Sequence, residues 1–363
     1  MERPFRLTRL LVGCGMTQDR PCLRYWLLAR VMDFGILGIT FTNLLYLLVG
    51  GGDQIYIGEA LQCFVSSVHL DGKMANIRLR GKMFWKLLDD GERLWDDMVA
   101  DPKNSEIALN VGKEIKLAEK VLLAVFLLPV PGLGSVTLLR NLTLSPEERD
   151  ILFHLWDPFP HDWYWSKVMW EAAIMILALF MFSTYFVYLV VPCLLARGLV
   201  QSLVLKLEDD SVSVEDCVTL HQKIIKYVRD MNELMAGQMA LEIICGAMQI
   251  AARGFQLILL LKQNDPRIFG VIMFLVCCFS GPYINCYAGH VITQTSEVLY
   301  RSCYDKNWYE LPVKDQKAMY LMNLQASQLM VLQYRKTFIF NMERYGTVCQ
   351  GTYSYLTLLT GRL

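Results

Sequence analysis

Residues 168–192 form one apolar run, broken only by Glu171, with Lys167 before it and Arg197 after it. A helix of that length covers the roughly 30 Å of bilayer hydrocarbon. A water-soluble domain has no place for such a helix, so the chain has to fold in a membrane. Composition agrees, at 54% hydrophobic and only 19% charged residues, with a mean hydropathy of +0.31. The formal net charge is zero, which excludes a strongly basic nucleic-acid binder. Residues 1–30 carry Arg3, Arg6, Arg9, Arg20, Arg24 and Arg30 but no run of small residues suited to signal cleavage, so the first apolar run is expected to stay as an anchor. The 11 cysteines show no CxxC pairs and no Cys/His clusters at metal-ligand spacing, which predicts free thiols, no metal and no cofactor.

The remaining apolar runs complete an all-α membrane protein of seven spans: 34–49, 55–70, 117–139, 168–192, 239–261, 267–288 and 338–359. Gly50-Gly51-Gly52-Asp53 predicts a tight turn. Residues 71–116 and 194–238 are charged with helical periodicity, so neighbouring spans are expected to continue as amphipathic helices beyond the bilayer. Pro129 through Gly134 must kink or unwind the third span. The loop 140–167 is rich in acids and aromatics and contains the sequon Asn141-Leu142-Thr143, making Asn141 the candidate glycosylation site. Glu242 and Arg253 fall inside the fifth span, where a charge is costly unless it faces protein or water. Residues 262–266 predict a turn, Ser280-Gly281-Pro282 a second kink, and 311–336 one amphipathic helix.

With the N-terminus inside, the internal segments hold about 26 of the 35 lysines and arginines, and the positive-inside rule favours that orientation, with the C-terminus outside. The sequon agrees with it. This is opposite to the orientation of G-protein-coupled receptors, whose Asp-Arg-Tyr and Asn-Pro-X-X-Tyr signatures are absent. The chain also has no Gly-rich phosphate loop, nucleophile elbow or HExxH, so no catalytic residue is assigned and an enzyme is not expected.

The last segment carries hydroxyls at Thr352, Ser354, Thr357 and Thr360 among leucines. Its spacing fits an ordinary membrane helix whose hydroxyls bond back to their own carbonyls, and also a pore lining. Its wording, Tyr353-Ser354-Tyr355-Leu356-Thr357-Leu358-Leu359, resembles the C-terminal segment of insect odorant receptors, the ligand-gated cation channels of chemosensory neurons. Two further stretches resemble the same family after its sixth helix: Tyr287-Ala288-Gly289-His290, and Ser296-Glu297-Val298-Leu299-Tyr300 with Asp305-Lys306-Asn307-Trp308-Tyr309.

The resemblance implies an organisation in three parts: 1–290 as a six-helix bundle with an outer-leaflet odorant pocket, 291–336 as a cytoplasmic anchor, and 337–363 as the seventh, pore-lining helix. It places the pocket at Leu61, Gln62, Phe64 and Val65, at Phe126, Pro129 and Val130, at Met175, Leu179 and Phe182, at Phe255 and Leu259, and at Phe274 and Cys277. Gln62 and Ser67 would supply hydrogen bonds. No charged group is expected at that depth, which points to a small volatile apolar or aromatic ligand. Ser354, Thr357, Leu358 and Leu359 are the pore candidates, with Leu358 as the hydrophobic gate. The coreceptor and gustatory receptors of that group show Gln where Leu359 stands. This chain therefore resembles a tuning subunit that works in a heterotetramer with odorant coreceptor subunits, passing cations across the dendritic plasma membrane of an olfactory neuron, in contact with lipid and with no nucleic-acid partner. A homomeric channel of gustatory type is the alternative, followed by a metabotropic receptor or a transporter.

Overall fold

In the computed structural model the described residues are 23–49, 54–127, 142, 163–265 and 267–360. They form a helical bundle of α1 (Leu23–Val49), α2 (Gln54–Leu79), α3 (Gly81–Ala100), α4 (Ser105–Leu127), α5 (Tyr164–Glu208), α6 (Val214–Gln263), α7 (Ile268–Asp305), α8 (Val313–Ala326) and α9 (Met342–Thr360). The predicted spans correspond to α1, α2, α4, α5, α6, α7 and α9. Among the described residues, α5, α6 and α7 are each long and apolar enough to cross a membrane. The 50–53 turn, Pro129, Val130, the kink around them and Asn141 lie outside the described residues.

α5 and α6 organise the bundle. α5 packs against α4, α6 and α7, while α6 also holds α2 and α9. Both run well past bilayer length into a charged end of the molecule, as the periodicity of 194–238 predicts. There α3 is a separate amphipathic helix, with Phe84, Leu88 and Trp95 buried and the Tyr188 hydroxyl donating to the Phe84 carbonyl at 2.6 Å. Ser213 caps α6, accepting from the Asp216 N–H at 3.1 Å and donating to its carboxylate at 2.7 Å. At the opposite end α6 stops at Asn264, whose left-handed φ of 50° closes the predicted turn.

Pro282, at the predicted kink, sits inside α7, which is assigned as helix from Ile268 to Asp305. Gly246 on α6 gives its ring room, since a Cβ there would lie 2.6 Å from Pro282 Cγ, and this close approach of two helices supports the interrupted ladder. One expectation needs correction: the segment 311–336 is not one helix. α8 ends at Ala326, and the chain turns into a hairpin of β1 (Gln333–Tyr334) and β2 (Phe338–Ile339), with Arg335 and Lys336 at positive φ. The hairpin wins because it docks: the Met330 N–H donates to Ser296 Oγ and the Gln333 N–H to Asn232 Oδ1, both at 2.8 Å. Phe340 is fully buried against Gly289, where any Cβ would collide with the Phe340 carbonyl.

Candidate ligand cavity and pore helix

Away from the charged end, α2, α4, α5, α6 and α7 line a cavity of about 120 Å³. One wall is apolar. Phe126 at the end of α4 stacks on Phe186 with ring centroids 4.7 Å apart, and Met175, Leu179 and Phe182 project from one face of α5 at helical spacing. Phe274 and Cys277 of α7 complete that side.

The facing wall is polar. Gln62, Cys63, Ser66 and Ser67 of α2 meet Glu242 and Gln249 of α6, with Cys278 of α7 beside them. The amide nitrogens of Gln62 and Gln249 both donate to Ser66 Oγ, at 2.8 and 3.1 Å. The Ser67 hydroxyl turns back to the Cys63 carbonyl at 2.8 Å, which leaves Ser66 as the hydroxyl at the centre of this network. Below it the Glu242 carboxylate lies 2.9 Å from His69 Nε2 and 2.5 Å from Lys73 Nζ. The Lys73 ammonium is covered by the rings of Phe182, Tyr185 and Phe186, at 3.9, 4.4 and 4.5 Å from their centroids. The ammonium, the imidazole and the carboxylate are all buried, and the ion pair offsets the cost of taking each charge out of water.

The structure brings together Gln62, Phe126, Met175, Leu179, Phe182, Phe274 and Cys277 around one cavity, with Ser67. It does not bring Leu61, Phe64, Val65, Phe255 or Leu259 there. Leu61 is 42% exposed and lies with Phe255 in a second, open groove between α2, α6 and α9. Val65 is buried and Phe64 half-buried away from the cavity, and Leu259 packs with Leu260 and Val271. The expectation of no charge at this depth is also corrected, because Glu171 and Glu242 both line the cavity. Glu242 was readable as a buried charge, but its partners His69 and Lys73 on α2 become visible only when α2 and α6 are paired. Arg253 does face protein: it is 1% exposed, hydrogen-bonds Gln256 at 2.5 Å and lies 4.7 Å from the Phe274 ring centroid.

α9 rests mainly on α6 and α7, where Leu356 packs against Gly254. Its other face is open, with Tyr353, Ser354, Tyr355, Thr357 and Leu358 all exposed. The hydroxyls of Thr352, Ser354 and Thr357 donate to carbonyls of their own helix at 2.8–3.0 Å, the ordinary membrane-helix pattern. Leu359 is helical. The nine described free cysteines include eight that are buried.

The 7tm Odorant receptor family model matches residues 55–353. Odorant receptor 46a, isoform B, of Drosophila melanogaster is 24% identical over 216 residues, 54% of this chain and 55% of the relative. Odorant receptor Or2 of Anopheles gambiae is 23% identical over 146 residues, 40% of this chain and 38% of the relative. The chain thus spans about half the length, or less, of the curated relatives it matches. The olfactory receptor OR5 of Machilis hrabei superposes with a TM-score of 0.81 at 13% identity, covering 98% of this chain and 96% of that one. Its complex with eugenol superposes at 0.83 and 12% identity, covering 99% and 98%. These two likenesses concern the fold.

Proposed function

This chain belongs to the insect odorant receptor family, a family of receptors and not of enzymes, and from that premise we propose that it is the odorant-tuning subunit of a ligand-gated cation channel. The observation that carries the reading is the cavity between α2, α4, α5, α6 and α7, lined by aromatic and aliphatic side chains with a few convergent polar groups, the usual make-up of a small-molecule site. The related OR5 was solved with eugenol, a small volatile, and by likeness a molecule of that size is the expected ligand here. We place the charged end in the cytoplasm, the cavity in the outer leaflet, and the chain in the dendritic plasma membrane.

The open face of α9 supports a pore role. That face carries the hydroxyls of Ser354 and Thr357 beside Tyr353 and Leu358, and in a tetramer it would border the axis. Leu358 is then the hydrophobic gate. Leu359 supplies no amide to the conduction path, which fits assembly with coreceptor subunits over a homomer. Ligand shifts the α9 helices toward the open arrangement only to the extent that it binds that state more tightly.

Whole-cell current during perfusion of small volatile aromatics, alcohols and ketones tests the proposal. The expected result is inward cation current only when the chain is co-expressed with an odorant coreceptor. Current from the chain alone would replace the heteromer by a homomer. Silence in both, with the complex stained at the cell surface, would overturn the channel reading.

A further inference from the structure

Resting on the reading that the cavity is the ligand site, we infer that its polar wall selects neutral ligands bearing a hydrogen-bond-accepting oxygen, such as a ketone or ester, and that Ser66 is the residue that reads it. The argument is one of donors and acceptors. A serine hydroxyl offers two acceptor lone pairs and one donor hydrogen. Both acceptor positions of Ser66 are used, by Gln62 Nε2 at 2.8 Å and by Gln249 Nε2 at 3.1 Å.

At their other ends the two amides meet thiols: Gln62 Oε1 accepts from the Cys63 thiol at 3.6 Å and Gln249 Oε1 from the Cys278 thiol at 3.9 Å, and each amide turns its nitrogen to Ser66. The hydroxyl hydrogen of Ser66 is then left over, beside the second hydrogen of each amide. Ser66 lines the cavity, and a ligand oxygen there would complete its bonding. Of the neighbouring hydroxyl and carboxylate, neither competes for the role. The Ser67 hydroxyl is committed to the Cys63 carbonyl, and Glu242 to His69 and Lys73. The remainder of the ligand would lie against Phe126, Met175, Leu179 and Phe274 and be held by shape.

The test is direct binding to the purified full chain in nanodiscs, using tritiated acetophenone as probe and empty nanodiscs to subtract partitioning into lipid. Unlabelled ethylbenzene and 1-phenylethanol, close in size, serve as competitors. Wild type is expected to hold the ketone about five- to tenfold more tightly than ethylbenzene, the scale of one hydrogen bond. Ser66→Ala erases that preference while ethylbenzene binding, which reports an intact cavity, stays within about twofold. Ser66→Thr, which keeps the hydroxyl, restores it. Equal affinity for ketone and hydrocarbon in wild type, a preference that survives Ser66→Ala, a strong preference for the alcohol over the ketone, or no binding of any of the three would each overturn the inference. Ion current is recorded separately. Selective ketone binding without current on co-expression removes the channel reading and leaves this one standing, and ketone-gated current from a protein whose cavity shows no such selectivity does the reverse.

Discussion

On the α5 side of the cavity Met175 and Leu179 turn inward, whereas on the α2 side Gln62 and Ser66 turn inward and the apolar Leu61 turns out. α6 repeats the α2 pattern, with Glu242 and Gln249 toward the cavity and Phe255 toward the open groove. In water the hydrophobic effect would send apolar faces inward on every helix. In a bilayer the surroundings are as apolar as leucine, so that force vanishes, and what goes inward is whatever hydrocarbon cannot satisfy. Glu171 apart, one wall is therefore apolar through packing and the other polar through exclusion from lipid, and the two should fail differently when altered.

The largest effect is expected from Glu242→Gln. It leaves the buried Lys73 without its counter-charge and should cost about 3–5 kcal/mol, read as a large drop in the thermal unfolding midpoint of the purified chain or as loss of surface expression. Replacing the pair together, by Lys73→Met with Glu242→Leu, should cost much less, because no charge is then left alone. If the double change were as harmful as the single one, the ion cluster would not be the feature that fixes this wall. Met175→Ala probes the opposite wall. Its side chain already borders empty space, so the loss should sit at the low end for such truncations, about 2 kcal/mol, measured by the same melting curve. Equal losses at Glu242 and Met175 would break the distinction between the walls.

The same physics says which parts of the site were legible. On α5 the positions Met175, Leu179 and Phe182 follow from helical spacing within an apolar run, and they reach the cavity as that spacing predicts. On α2 and α6 an aqueous rule that lines pockets with apolar residues picks Leu61, Val65, Phe255 and Leu259, none of which borders this cavity. The missed residues, Ser66, Gln249 and Glu242, carried a signal: polar side chains in membrane spans, four residues apart from Gln62 to Ser66 and seven from Glu242 to Gln249, hence one face each. The stretch after the sixth span was readable in wording before its physical reason was visible. Gly289 is the notch for the Phe340 backbone and Ser296 the anchor of the Met330 N–H. That these contacts serve a hairpin and not a helix depends on docking between segments more than 30 residues apart, which local periodicity does not encode.

A smaller effect sharpens the polar wall itself. Gln249→Leu removes one of the two donors to Ser66 while preserving bulk, and about 1 kcal/mol of stability is expected to go with it. The same variant should weaken the ketone preference, since Ser66 regains a free lone pair and its hydroxyl is less firmly aimed; an unchanged preference would mean that Gln62 alone orients it.

The smallest effect lies at the charged end, where the molecule makes its other kind of ion pair. Asp209, just past α5, pairs with Lys103 and accepts from the Ser211 N–H and hydroxyl at 3.0 and 2.6 Å. The Lys103 contact, with the Ser211 bonds behind it, holds the carboxyl below its ordinary value of 3.8. Because the folded state binds the proton less readily than the unfolded one, the contribution is complete above that ordinary value and is lost as pH falls below it. Melting curves recorded from neutral pH down through 3.8 should therefore show the gap between wild type and Lys103→Ala closing as the acid range is entered. Added salt at neutral pH should close most of that gap too, since the pair is exposed to solvent, whereas the cost of Glu242→Gln should not respond to salt. A salt-sensitive Glu242 cluster would mean that water reaches the polar wall, and the division into a packed wall and a lipid-excluded wall would then have to be redrawn as a dry wall facing a wet one.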